Sequence, residues 1–417
     1  MPTTNKRKII NDPVYGFITI PNELIYDLIE HPYFQRLRYI KQLGLTAYVY
    51  PGALHTRFHH ALGAMHLLTQ AIEVLRGKGA PISAEEAEAA TIAILLHDIG
   101  HGPFSHALEH SLVREVSHEA LSLMFMERLN EQFEGQLTLA IQIFKGNYEK
   151  KFLHDLVSSQ LDMDRLDYLN RDSFFTGVEE GVVGFERIIK MLDVRDNHIA
   201  VEYKGIYSIE QFLIARRLMY WQVYLHKTVL AAEMMLVKVL QRAKELVQKG
   251  EVLFATSALQ WFLQHDYTLH DFTRQHNLLE RFADLDDTDI YAALKEWQNH
   301  PDLVLSKLSK GLVHRRLLKI ELDKKPTGDF RYADLLKQTA TQYGISDHEA
   351  RYFVFRDTTS NSAYTFHDSP INIVFKDGAV KNVAEAADYL NIALLASPVV
   401  KYYFCYPKDI EINALSN

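Results

Sequence analysis

The run His97-Asp98-Ile99-Gly100-His101-Gly102-Pro103-Phe104-Ser105-His106 follows directly on the apolar stretch 91–96. Neighbouring residues on a helix point only about 100° apart, so a His-Asp pair at a helix end can reach one ion. A second segment, His55-Thr56-Arg57-Phe58-His59-His60-Ala61-Leu62-Gly63, offers another imidazole near a helix start. A third, 161–172, offers carboxylates on a helix whose buried side is Met163, Leu166 and Leu169. Two imidazoles and two carboxylates form a mixed nitrogen and oxygen set. Such a set suits a borderline or hard divalent ion that keeps positions open for water and phosphate oxygens. A closed structural zinc site would more often use thiolates, and the single cysteine, Cys405, cannot supply them. The set His60, His97, Asp98 and Asp164 therefore reads as a catalytic metal site.

These side chains need rigid elements behind them. Ser83 is a good helix cap, and the acidic residues after it favour the first turn of a helix. The apolar run 91–96 buries that helix, and Gly100, Gly102 and Pro103 end it. Helical spacing of apolar residues marks a helical pair over 18–43, a turn at 48–52, and helices over 59–77, 153–170 and 208–248. Beyond residue 250 the texture changes, with a helix over 289–298 followed by strand-like runs at 351–356, 371–375 and 401–406. At 417 residues the chain exceeds one typical core. The expected fold is mainly α, a helical bundle core with a smaller mixed α/β C-terminal lobe. The expected division is 1–50 as an N-terminal segment, 51–245 as the core, and 246–417 as a lobe for oligomerisation or regulation.

Composition narrows the class. The chain is 47% hydrophobic and 24% charged with a net charge of -8, which argues against a dedicated duplex-DNA binder. The polar start carries no apolar signal region, no run approaches the roughly 18 to 20 apolar residues that span a bilayer, and one cysteine fits a reducing compartment. The expectation is a soluble cytoplasmic protein without membrane or nucleic-acid partners.

These motifs resemble the HD-domain phosphohydrolases, and within them the deoxynucleoside triphosphate triphosphohydrolases, from Lys8 to Lys227. The resemblance implies one divalent metal (Mg, Mn, Fe, Ni or Zn) on His60, His97, Asp98 and Asp164. His60 is preferred to His59 because it keeps the spacing from Arg57 and to Gly63. It implies proton-transfer roles for His101, His106, Glu109 and His118. Phosphate contacts fall on Arg57, Arg165, Arg216 and Lys227, and sugar contacts on Gln42, Tyr168 and Asp172. The implied reaction splits a deoxynucleoside triphosphate into deoxynucleoside and triphosphate. Lys8, Asn11, Gln35 and Arg38 correspond to a site for an activating nucleotide between subunits of a homo-oligomer, a tetramer or dimer. Two rival readings are an HD phosphohydrolase acting on another nucleotide phosphoester, and a non-catalytic nucleotide sensor or nucleic-acid-binding protein. Gln42, Tyr168 and Asp172 argue against the first, and the intact metal and proton-transfer positions against the second.

Overall fold

The computed structural model describes residues 8–104, 112–113, 116–361, 364, 370–387, 392 and 397–410. His106 and Glu109 lie outside the described residues. The architecture is mainly helical with small sheets, as expected. The chain opens with a hairpin, β1 (Ile9–Asp12) against β2 (Gly16–Thr19), followed by α1 (Glu23–Glu30) and short helical turns over 32–39. The helical pair expected over 18–43 is thus replaced by a strand, one two-turn helix and fragments. Pro32 restarts the chain after His31, whose extended backbone ends α1.

At the centre lie α2 (Arg57–Gly77) and α3 (Ala84–Leu96). Both bury residues nearly all round, as helices enclosed by others must. Buried alanines at 61, 64 and 71 on one helix and 89, 90 and 93 on the other leave room for close approach. A reciprocal cap starts α3: Glu86 N donates to Ser83 Oγ at 3.1 Å, and Ser83 N donates to Glu86 Oε2 at 2.8 Å. After Leu96 the chain turns through His97 to Gly100 and later enters α4 (His118–Gln132). Gly100 is required at that contact, because a Cβ there would lie 2.3 Å from the backbone of both His118 and Ser122.

The helix expected over 153–170 is two helices, α5 (Lys151–Val157) and α6 (Met163–Thr176). Asp162 decides the break. Its carboxylate accepts from Ser159 N and Arg165 N, both at 2.7 Å, which caps α6 and closes the preceding turn. The helix expected over 208–248 is also divided. α7 (Ile206–Met219) runs into a π-helical turn over Tyr220–Tyr224, and α8 (Lys227–Gln248) starts afresh with His226 as its cap.

A second hairpin, β3 (Leu192–Arg195) and β4 (His198–Glu202), turns through Asp196 and Asn197, both at positive φ. Further along come α9 (Asp287–Trp297), α10 (Leu303–Val313), β5 (Lys319–Asp323) and α11 (Asp329–Tyr343). The strand expected at 351–356 begins only at Phe355, as β6 (Phe355–Asn361), because 347–354 forms a helical turn capped by Ser346. β7 (Asn372–Val374) pairs in parallel with β4 and antiparallel with β8 (Val380–Asn382). β9 (Val399–Tyr406) lies between β5 and β6. Late strands are therefore bonded to the first half of the chain as well as to one another, and one apolar core runs from Ile18 to Ile410.

The N-terminal hairpin is tied to this core by charge. Fully buried Arg171 on α6 donates to Asp12 Oδ2 at 2.7 Å and to Asp167 at 2.9 and 3.0 Å. Asp12 in turn accepts from the amides of Val14 and Tyr15. Removing one partner from a buried pair leaves the other unpaired, so Arg171→Ala is expected to cost about 3 to 5 kcal/mol. Urea unfolding of the variant checks this, and an unchanged midpoint would show that the ion pair holds nothing.

Candidate metal centre

Three helix ends converge on one point. His60 stands in the first turn of α2, His97 and Asp98 follow the last residue of α3, and Asp164 is in the first turn of α6. His60 Nε2 lies 3.1 Å from Asp164 Oδ1 and 3.7 Å from Asp98 Oδ2. His97 Nε2 lies 3.4 Å from one oxygen of each carboxylate. Ligands about 2.1 Å from a shared ion stand roughly 3.0 to 3.5 Å apart at neighbouring positions, so the spacing of His60, His97 and Asp164 fits one divalent cation, with Asp98 at its edge. Both Nε2 atoms are buried and without a hydrogen-bond partner among the described residues.

The other ring atoms are committed. His60 Nδ1 donates to Asp167 Oδ2 at 2.7 Å, and Asp167 is fully buried and paired to Arg171. His97 Nδ1 lies 2.6 Å from the carbonyl of Ile94, which can only accept, so Nδ1 carries the proton. Each Nε2 is thereby the atom turned toward a metal. Gly63 is part of this arrangement, since a Cβ there would meet Asp167 Oδ1 at 2.0 Å and Arg171 Nη2 at 2.1 Å.

The electrostatics point the same way. Burial works against a charged His60, yet Asp164 and Asp167 raise it to about 10. Burial also opposes charge on Asp98, but His97, His101 and Arg57 hold its carboxyl well below the usual range. Asp164 is likewise lowered by His60 and His97 against its burial. Fixed negative charge that draws protons onto neighbouring imidazoles is charge that a dication can neutralise instead.

Around this cluster Arg57 Nη1 donates to Asp98 Oδ2 at 2.6 Å. His101 Nε2 lies 3.2 Å from Asp98 Oδ1, and its ring stacks on His118 with centroids 3.8 Å apart. Burial and then Arg57 push His101 down to about 3. Asp98, His101 and His118 form a second group of ligand-type atoms within 4.8 Å of one another.

The residues read as substrate contacts distribute unevenly. Tyr168 lies on α6, its ring centroid 6.4 Å from that of His60. Asp172 accepts from His55 and from Tyr224 OH, both at 2.7 Å. Gln42 and Arg57 line a cavity of about 240 Å³ with Tyr220, Tyr224 and Phe104. Arg216 Nε and Nη1 are buried without partners among the described residues, and its charge acts on Tyr168. Arg165 pairs with Asp162. Lys227 is exposed at the start of α8 and is not gathered into this group. Lys8 bonds Tyr26 and Asn11 is exposed on β1. Gln35 bonds the carbonyl of Ile29 and accepts from Arg38. Asp167, Arg171, His55 and Tyr224 had no role in the sequence reading. For Asp167 and Arg171 the available signal was an i, i+4 opposite-charge pair on the helix bearing Asp164.

Asp98→Ala is expected to abolish bound metal. Asp167→Asn leaves every ligand in place but loosens His60, and should weaken metal affinity about 10- to 100-fold. Calorimetric titration of metal into the folded variants measures both; wild-type affinity in Asp98→Ala would rule out this cluster.

The HD domain family model matches residues 57–172, and the HD associated region matches 183–278. A crystal structure of a phosphohydrolase from Bacteroides thetaiotaomicron aligns with a TM-score of 0.94 at 57% identity, covering 97% of this chain and 100% of that one. The uncharacterized protein YwfO of Bacillus subtilis is 30% identical over 424 residues, 97% of this chain and 93% of its own. The deoxynucleoside triphosphate triphosphohydrolase SAMHD1 homolog of Dictyostelium discoideum is 31% identical over 265 residues, covering 59% of this chain and 51% of its own length. Bos taurus SAMHD1 is 31% identical, covering 53% of this chain and 45% of its own. The match thus spans about half of these two proteins. With the metal cluster falling inside the matched domain, the chain belongs to the HD-domain phosphohydrolases.

Proposed function

We propose that the protein hydrolyses deoxynucleoside triphosphates to deoxynucleoside and triphosphate. The observation that carries this reading is one side of α6, where the metal ligand Asp164, the cation Arg165 and the Tyr168 ring follow one another, with Asp172 holding His55 and Tyr224 behind them. One rigid element would then meet the metal, the phosphates and the sugar in sequence. The names of the SAMHD1 relatives support the same substrate class.

His60, His97, Asp98 and Asp164 would hold the metal, which when bound supplies Lewis acidity toward a phosphate oxygen or water. Arg216, with two buried unpartnered nitrogens, and Arg165 bind phosphate oxygens. Water adds to the α-phosphorus, the bond to O5′ breaks, and O5′ gains a proton. His118, about one quarter exposed and stacked on His101, is suited to move that proton, a role that the family resemblance extends to His106 and Glu109. Gln42 Oε1 is buried without a partner and accepts from a sugar hydroxyl. A ribose 2′-hydroxyl against the Tyr168 ring would lose its hydrogen bonds, a cost of about 1 to 3 kcal/mol. Lys8, Asn11, Gln35 and Arg38 would take an activating nucleotide in a homo-oligomer.

The test is to incubate metal-loaded protein with each dNTP and rNTP, alone and mixed, and to separate the products. Triphosphate with deoxynucleoside is expected. Release of pyrophosphate or orthophosphate would refute the reaction type, and no turnover even with mixed nucleotides would refute catalysis. Tyr168→Ala should narrow the preference for deoxyribose by about tenfold or more, read as the ratio of kcat/KM for dGTP and GTP.

A further inference from the structure

The N-terminus of α9 carries a carboxylate that helix formation does not need. Asp286 caps this helix, accepting from Thr288 N at 2.6 Å, and Asp289 accepts from Asp286 N at 2.7 Å. Asp287 is nevertheless turned inward, 6% exposed, and accepts from the backbone amide of Lys41 at 3.1 Å. Its other oxygen, Oδ1, is buried without a hydrogen-bond partner among the described residues. Burying a carboxylate is costly unless it is paired or hydrogen-bonded, so the Lys41 contact needs an account.

Lys41 lines a cavity that it shares with Phe104 and with Arg57, the cation bonded to Asp98. Residues 40–42 are zipped on one side to 55–57: Arg57 N donates to the carbonyl of Ile40, Gln42 N to that of His55, and Lys41 bridges Thr56. Asp287 takes the Lys41 amide, so the segment bearing Gln42 is held by two elements. Phe104 ends the turn that begins at His97 and has a left-handed backbone, φ 49, which an L-residue adopts only when its surroundings enforce it. Tyr291, one turn along α9 from Asp287, meets the Phe104 ring edge-on at 5.5 Å and lies 5.0 Å from Lys41 Nζ. Lys41, Gln42 and Phe104 line the cavity together with Arg57 and Tyr224.

We infer that Asp287, with Tyr291, is a positioning residue of the hydrolytic site: Asp287 through the Lys41 amide and Tyr291 through the Phe104 ring set the Gln42 segment and the turn that carries His101 in register with each other. Asp287 lies beyond residue 278, where the family-model matches end. The later part of the chain therefore completes the site. The kinetic part of the test rests on the proposed dNTP reaction; the structural part does not.

The variants are Asp287→Ala and the isosteric Asp287→Asn, compared with wild type by amide hydrogen exchange, metal titration and dNTP kinetics. In Asp287→Ala the Lys41 amide should lose protection, while metal affinity stays unchanged and kcat/KM falls about 10- to 100-fold. Asn keeps one acceptor oxygen for the Lys41 amide. It should restore Lys41 protection together with kcat/KM. Wild-type protection or wild-type kinetics in Asp287→Ala would overturn the inference. So would a parallel fall of melting temperature, metal affinity and kcat in both variants, the mark of a purely structural residue. Should wild type hydrolyse no dNTP, the proposed function fails, and amide protection alone decides the role of Asp287.

Discussion

The site depends on a carboxylate that water does not reach. Asp167 is fully buried, and a charge in that setting persists only with close partners. It has two, the guanidinium of Arg171 and Nδ1 of His60 at 2.7 Å. Each partner does something besides neutralising Asp167. Arg171 also binds Asp12 and so fastens the N-terminal hairpin to α6. His60 is fixed in one tautomer and ring orientation, and its Nε2 is thereby aimed at Asp98 and Asp164. Gly63 is tied to the same pair, because any side chain there would displace the Asp167–Arg171 contact. Packing of α2 on α6 and readiness for a metal are consequences of one ion pair.

The same economy governs the helix ends. The last carbonyls of a helix have no partner within it, and at the end of α3 the carbonyl of Ile94 is met by Nδ1 of His97. That bond also turns Nε2 of His97 to the metal position. The carbonyls of Ile99 and His101 accept from buried Arg36 at 2.9 and 2.7 Å, and the amide of Gly100 donates to Ser122 Oγ. Asp164 sits in the first turn of α6, where the helix dipole favours a carboxylate. Orientation of the ligands is thus obtained from bonds that the backbone would require in any case.

What the sequence disclosed and what it concealed divide along this line. His97, Asp98, His60 and Asp164 are legible because their types are chemically unusual and each adjoins an apolar run that must be buried. Asp167 and Arg171 resemble an ordinary solvated i, i+4 pair, and only the burial of α6 on α2 makes them a foundation. The breaks at 158–162 and 225–226 were missed because helical spacing of apolar residues continues across them, while the caps at Asp162 and His226 settle the matter locally. β3 and β4 are short, and β4 finds its parallel partner β7 far along the chain, a pairing that no local pattern announces. Asp287 was invisible for the same reason, since its meaning lies in the amide of Lys41, far back along the chain.

Polar saturation separates scaffolding from contact groups. Asp172 has both oxygens engaged, by His55 and Tyr224, and Asp167 is bonded on both sides. Such groups fix geometry and have little left to offer a ligand. Nε2 of His60 and His97, Nε and Nη1 of Arg216, and Oε1 of Gln42 are buried without hydrogen-bond partners among the described residues, which native proteins seldom tolerate without a purpose. Their chemistries differ: two lone pairs suit a cation, a guanidinium suits an anion, and an amide oxygen suits a hydroxyl or amine. A ligand that meets all three requirements joins an anionic group, able to share a metal ion, to a neutral body carrying a donor. A nucleotide has that order of groups. An inorganic phosphate alone would leave Gln42 unmet, and a nucleoside alone would leave Arg216 unmet.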